Sequence, residues 1–191
     1  MKTLIVYFSY TKNNKFLACQ LQKNLLCDIF EIEEERKRTG LTILLDLIFD
    51  RRPKLKDSGV SLSLYENVIF VAPIWAGKIA SPLKSFLLKE SGHIRSYSFI
   101  SVCGGTKGQA EKINNELKNI TGLDPIVVKE LWINDLLPSD KKNSVKYTSG
   151  YRILPADLER FSEGIEALVK RAAGTPKHEA IWTTMNRKQS P

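Results

Sequence analysis

Five short runs rich in β-branched and aromatic residues alternate with segments of helical period, and this alternation constrains the fold more than any other feature of the chain. Residues 3–8, 28–32, 67–72, 98–103 and 126–133 predict strands, because such side chains suit a pleated, buried surface. Between them, residues 14–26 carry Leu17, Leu21 and Leu25 on one helical face, and residues 109–120 carry Ala110, Ile113, Leu117 and Ile120. Residues 41–49 and 81–89 predict two more helices, the second with Ser81 as cap and Pro82 in its first turn. Leu158, Phe161, Ile165, Leu168 and Val169 mark a last helix. Residues 54–65 read as an irregular connection. Strands alternating with helices form an α/β protein, a doubly wound five-stranded parallel sheet with helices on both faces. Lys129 and Glu130 inside the fifth run mark an edge strand. The expected organisation is one domain, residues 1–173, followed by a polar tail, residues 174–191, with Ile181-Trp182 as its apolar island.

Length and composition set outer bounds. The chain has 191 residues, enough to bury a core, and three cysteines without metal-like spacing, which fits a reducing, cytoplasmic setting. All three cysteines are expected to be small buried residues. No run approaches the roughly 20 apolar residues of a membrane-spanning helix. The net charge of +8 suits anionic partners, but the cations are scattered, so no specific nucleic-acid surface is read. The clusters Arg36-Lys37-Arg38, 51–56 and Lys141-Lys142 are expected to be solvated, and the apolar helix 41–49 to pack on the sheet in preference to lying on an anionic membrane. His93 and His178 have no companion ligands, so no metal site is expected.

Right-handed crossovers place every strand-to-helix corner at the carboxyl edge of such a sheet, where ligands of open α/β folds bind. Three corners are chemically unusual. The first, Ser9, Tyr10, Thr11, Lys12, Asn13 and Asn14, clusters hydroxyls and amides at a helix N-terminus, a setting that binds phosphate; Lys12 and Lys15 add charge. The second, Pro73, Ile74, Trp75, Ala76, Gly77 and Lys78, puts an indole in a loop beside a residue free to take φ > 0. The third is Cys103, Gly104, Gly105 and Thr106. With strand order 2-1-3-4-5 the three corners are spatial neighbours. Taken alone, the first corner reads as a helix cap ahead of a phosphate cradle.

These pieces together resemble the flavodoxin-like, FMN-binding family. The matching segments are residues 5–14, the Pro-x-Trp-x-Gly loop leading into Pro-Leu-Lys-x-Phe-Leu, and the Cys-Gly-Gly-Thr stretch. The resemblance implies that Ser9 and Thr11, with Asn13 and Asn14, hold the FMN phosphate. It implies that Trp75 stacks on the ring, that the Gly77 backbone meets the flavin, and that residues 103–106 flank its other side. The family's loop has Gly at the position of Lys12 and Thr at that of Asn14. Lys12 is therefore expected to be strained or the loop reshaped. The third corner lacks the aromatic and the carboxylates of electron-transfer flavodoxins, which leaves one flavin face open.

Three functions remain compatible with the sequence. The first is a flavin-dependent oxidoreductase passing electrons from NAD(P)H to a quinone or flavin-type acceptor. The second is a flavodoxin-type carrier serving a redox partner. The third is an FMN-free module that binds a partner. A homodimer is compatible with all three. No side chain stands out as a general acid, base or nucleophile, since redox chemistry of this kind belongs to the flavin.

Overall fold

The computed structural model describes residues 2–105 and 107–172. Its principal sheet is five-stranded and wholly parallel, built from β1 (Thr3–Tyr7), β2 (Asp28–Glu31), β3 (Asn67–Val71), β6 (Tyr97–Cys103) and β7 (Val128–Trp132). The strand order is β2-β1-β3-β6-β7, the expected 2-1-3-4-5 once a small hairpin is counted apart. That hairpin, β4 (Ile74–Trp75) with β5 (Lys78–Ile79), was not foreseen and forms the second corner. The burial of each strand follows from its place. All residues of β3 and β6 are buried, while β2 and β7 at the edges are only partly covered.

Each face of the sheet has its own apolar layer. Leu4, Val6, Val68, Phe70, Tyr97 and Phe99 pack with side chains of α3 (Ser81–Glu90) and α4 (Ala110–Thr121). Ile5, Tyr7, Ile69, Val71, Ile100 and Val102 pack against α1 (Asn13–Leu25) and α7 (Ser162–Ala172). Each fully buried Leu, Ile or Phe contributes about 1.5–3 kcal/mol. Lys129 lies along α7, close to Gly164, where an added Cβ would come within 2.6 Å of the lysine chain.

Several expectations are corrected. The helix α2 (Gly40–Phe49) does not pack on the sheet: none of its residues is buried. Its cap is Thr39, which exchanges hydrogen bonds with Thr42. Ser81 does not cap α3 but donates to Asp46 Oδ2 at 2.8 Å. The last helix is two, α6 (Pro155–Arg160) and α7, separated at Phe161, and a further short helix, α5 (Val145–Gly150), precedes them. Cys19 and Cys27 are half-buried, and only Cys103 is a core residue. Residues 173–191, with His178 and Ile181-Trp182, lie outside the described residues.

Two buried amides tie the sheet edge together. Beyond the last β3–β6 pair, Val71 with Ile100, strand β6 runs on without β3 beside it. Asn14, 2% exposed, fills that gap: its Nδ2 donates to Val102 O at 3.1 Å and its Oδ1 accepts from Val102 N at 2.9 Å. Asn13 does the same for the segment after β7, donating to Tyr151 O and accepting from Ile153 N. Replacing Asn14 by Ala strands a buried N–H and a buried C=O, so chemical denaturation is expected to show a loss of about 2–4 kcal/mol.

Candidate functional site

The first corner answers the capping question by exclusion. No side chain caps α1, although Ser9, Thr11, Asn13 and Asn14 all lie within reach in sequence. Lys12 precedes the helix at φ 70°, ψ −8°, the left-handed conformation expected where the resembling loop has Gly. The Lys12 and Tyr10 side chains face solvent and Thr11 is half-buried. Ser9 Oγ is buried and has no hydrogen-bond partner. Lys15 does not serve this corner: its Nζ pairs with Glu31 Oε2 at 2.8 Å, and Tyr7 donates to the same oxygen. Burial, then the Glu31 bond, pushes the Tyr7 hydroxyl up to about 12. Asn13 and Asn14 turn their amides inward, so they shape the corner and leave its open surface to Thr11, Lys12 and the helix N-terminus.

The second corner is a two-residue hairpin. Ala76 (φ 48°) and Gly77 (φ 73°) form its tip, and two successive positive φ angles are what a tight hairpin turn requires. A Cβ on Gly77 would meet Lys112 Nζ at 3.0 Å and Gln109 Oε1 at 3.1 Å. Pro73 accepts from Ala80 N, which closes the hairpin base, and Ile74 is buried while Lys78 is exposed. Trp75 is half-buried and meets Phe8 and Tyr10 edge-on, with ring centroids 5.9 and 6.4 Å away.

Arg38 lies over the Trp75 ring, 5.4 Å from its centroid, and sequence reasoning missed it. Its side chain is 5% exposed, not solvated as expected. The guanidinium holds Glu34 through two bonds and Asp46 Oδ2 at 2.7 Å. Asp46 also accepts from Ser81, so one buried network joins the loop after β2, α2 and the start of α3. The signals were present: Glu34 stands four residues before Arg38, and Asp46 interrupts an apolar run.

The third corner continues β6. Cys103 is 3% exposed, and burial followed by the nearby Glu130 charge pushes its thiol up to about 12, so it is a core thiol and not a nucleophile. A Cβ on Gly104 would lie 2.7 Å from the Thr148 side chain, so α5 can close on this loop only over glycine. A cleft of ≈ 540 Å³ opens beside Gly104 and Gly105 and is bordered by Lys107, Asn134, Lys142 and Thr148. Thr106 lies outside the described residues. Behind the loop, Glu130 is 5% exposed and neither carboxylate oxygen completes a hydrogen bond. Burial raises its pKa, and the Trp132 indole and the Gly108 and Gln109 amides offset only part of this. Among the described residues no cluster of His, Cys, Asp or Glu could hold a metal ion, and no helix is long and apolar enough to cross a membrane.

The order β2-β1-β3-β6-β7 therefore makes the three corners neighbours, with the first and second astride the β1/β3 point where the chain reverses direction across the sheet. No family model matches the chain, and no curated protein is similar to it in sequence. Solved structures are similar in fold. A flavoprotein of Lactobacillus acidophilus in complex with FMN superimposes with a TM-score of 0.60 at 18% identity, covering 68% of this chain and 92% of that one. A protein of Bacteroides eggerthii assigned as a flavoprotein gives 0.63 at 16%, covering 90% and 98%. A WrbA-like flavodoxin of Agrobacterium tumefaciens gives 0.50 at 14%, covering 90% and 98%. The chain has the flavodoxin-like fold.

Two predictions follow from the geometry. Arg38→Ala leaves the Glu34 and Asp46 carboxylates buried without their cation, so a loss of about 3 kcal/mol is expected in denaturant titrations, together with altered Trp fluorescence. For Glu130, the folded-state pKa lies above its ordinary value of 4.5. The unfolded chain therefore ionises first as pH rises, and stability falls from the ordinary carboxylate range up to the raised folded value. Glu130→Gln is expected to remove that decline; an unchanged slope of unfolding free energy with pH would contradict it.

Proposed function

We propose that the protein binds FMN across the three corners and works as a flavin-dependent oxidoreductase that takes electrons from NAD(P)H and passes them to a quinone or flavin-type acceptor. The observation that carries the FMN reading is the buried, unpartnered Ser9 hydroxyl beside the uncapped N-terminus of α1. A buried hydroxyl left without a bond costs about 1–3 kcal/mol, and a phosphate oxygen would satisfy it. The helix end adds roughly half a positive charge. The similarity in fold to an FMN complex supports the same reading.

FMN, when bound, supplies the two-electron and one-electron redox chemistry. The chain's own part is to bind and orient. Ser9, Thr11 and the first N–H groups of α1 would hold the phosphate. Trp75 and Tyr10 offer an aromatic wall beside the hairpin turn of Ala76 and Gly77. The overall charge of +8 favours negative charge on a bound group. Gly104 and Gly105 present no side chain to cover a ligand, and the cleft beside them has room for a second substrate. This open side favours an enzyme over a carrier whose flavin is covered on both faces.

Titration of the purified protein with FMN, followed by absorbance and flavin fluorescence, is expected to show one site. Ser9→Ala should weaken it about tenfold, the value of one hydrogen bond to a charged group. NAD(P)H oxidation in the presence of a quinone is expected from the loaded protein. A loaded protein inert to NAD(P)H would make it a carrier, and a protein that ignores FMN would leave only partner binding.

A further inference from the structure

The helix α2 carries an apolar face that nothing in the described chain covers. Leu41, Leu44 and Ile48, spaced i, i+3, i+7 on one side, are 65%, 52% and 63% exposed, and Phe49 beside them is 67% exposed. The opposite side is anchored, because Asp46 holds Arg38 and Ser81. The apolar face is therefore held outward by a buried network and is not a loosely attached segment.

Cations precede and follow this helix along the chain. Arg36 and Lys37 precede the helix and Arg51, Arg52 and Lys54 follow it, and none of these five forms a salt bridge among the described residues. The acidic residues nearby are mostly engaged: Glu33 by Lys56, Glu34 by Arg38, Asp50 by Lys84. The five cations line, together with Glu34, Glu35, Thr42 and Asp46, a cleft of ≈ 350 Å³ along the flank of α2. Apolar side chains flanked by unpaired cations are the composition of a helix that lies in a lipid interface.

We propose that α2 docks this protein on an anionic lipid bilayer, with Leu41, Leu44, Ile48 and Phe49 in the headgroup–acyl boundary and the flanking cations on lipid phosphates. Charge decides between this occupant and its rivals. A second copy would bring the same cations to the same place. Residues 173–191 are themselves basic, with Lys177, Arg187 and Lys188 against Glu179. A negatively charged surface complements both the apolar face and its rim. The inference does not depend on FMN.

The test is flotation of the full-length protein with vesicles of phosphatidylcholine, with and without phosphatidylglycerol. Binding to the phosphatidylglycerol vesicles alone, weakened by salt, is expected. Leu44→Glu/Ile48→Glu and, separately, Arg51→Glu/Arg52→Glu should each lower the bound fraction at least about tenfold while keeping the thermal melt of the parent. Absence of binding by the parent, or undiminished binding by the Leu44→Glu/Ile48→Glu variant, would overturn the proposal. So would a dimer in light scattering that this variant dissociates, or binding that emerges only when residues 173–191 are removed.

Discussion

The carboxyl edge of the sheet is held by side-chain amides standing in for missing strand. A parallel sheet must end somewhere, and where β6 outruns β3 it exposes the N–H and C=O of Val102 to a buried space. Water does not reach there, so the groups must be paired from within. Asn14 supplies a donor and an acceptor on two separate atoms, whereas a Thr at that position would have one hydroxyl oxygen for both. Asn13 repeats the device toward Tyr151 and Ile153. With both amides turned inward, the helix start is left without a cap, and its charge and N–H groups point at whatever fills the corner. The uncapped helix start of the first corner is thus a by-product of how the sheet edge is satisfied.

The sheet was legible because its cause is local. Continuous apolar runs marked the central strands, and Lys129 and Glu130 marked an edge, as the order of strands shows. The positive φ at Lys12 was also legible, since it followed from a glycine expected at that place. What escaped depends on partners distant in sequence. Glu34, four residues back, offers Arg38 a partner, but the burial of its charge rests also on Asp46, eight residues on, and on the Trp75 ring. Asn13 and Asn14 looked like cradle residues because their partners lie 138 and 88 positions away. The exposed face of α2 was misread for a different reason. An apolar helix is covered in most folds, and hydrophobic pattern alone does not say by what.

The Arg38 network links two surfaces that would otherwise be independent. Glu34 and Asp46 fix the guanidinium, the guanidinium covers the Trp75 ring, and Asp46 belongs to the helix whose other side is bare. Such a network is stable only when complete, because each charge is removed from water. A displacement of α2 would move Asp46 and with it the cation beside Trp75. The position of this helix is therefore coupled, through one ion-paired side chain, to the electrostatics of the second corner.

The distances along the chain that Asn13 and Asn14 bridge also set an order in time. Residues 9–14 leave the ribosome early, yet their shape is fixed by Val102 and by Tyr151 and Ile153. Closing loops of that length comes late in folding, after local helices and the first strand pairs. The first corner is thus among the first segments synthesised and among the last to acquire its form. Its shape reports that β6 and the segment ahead of α6 have already docked, so a chain interrupted before them carries the residues of the corner without the corner itself.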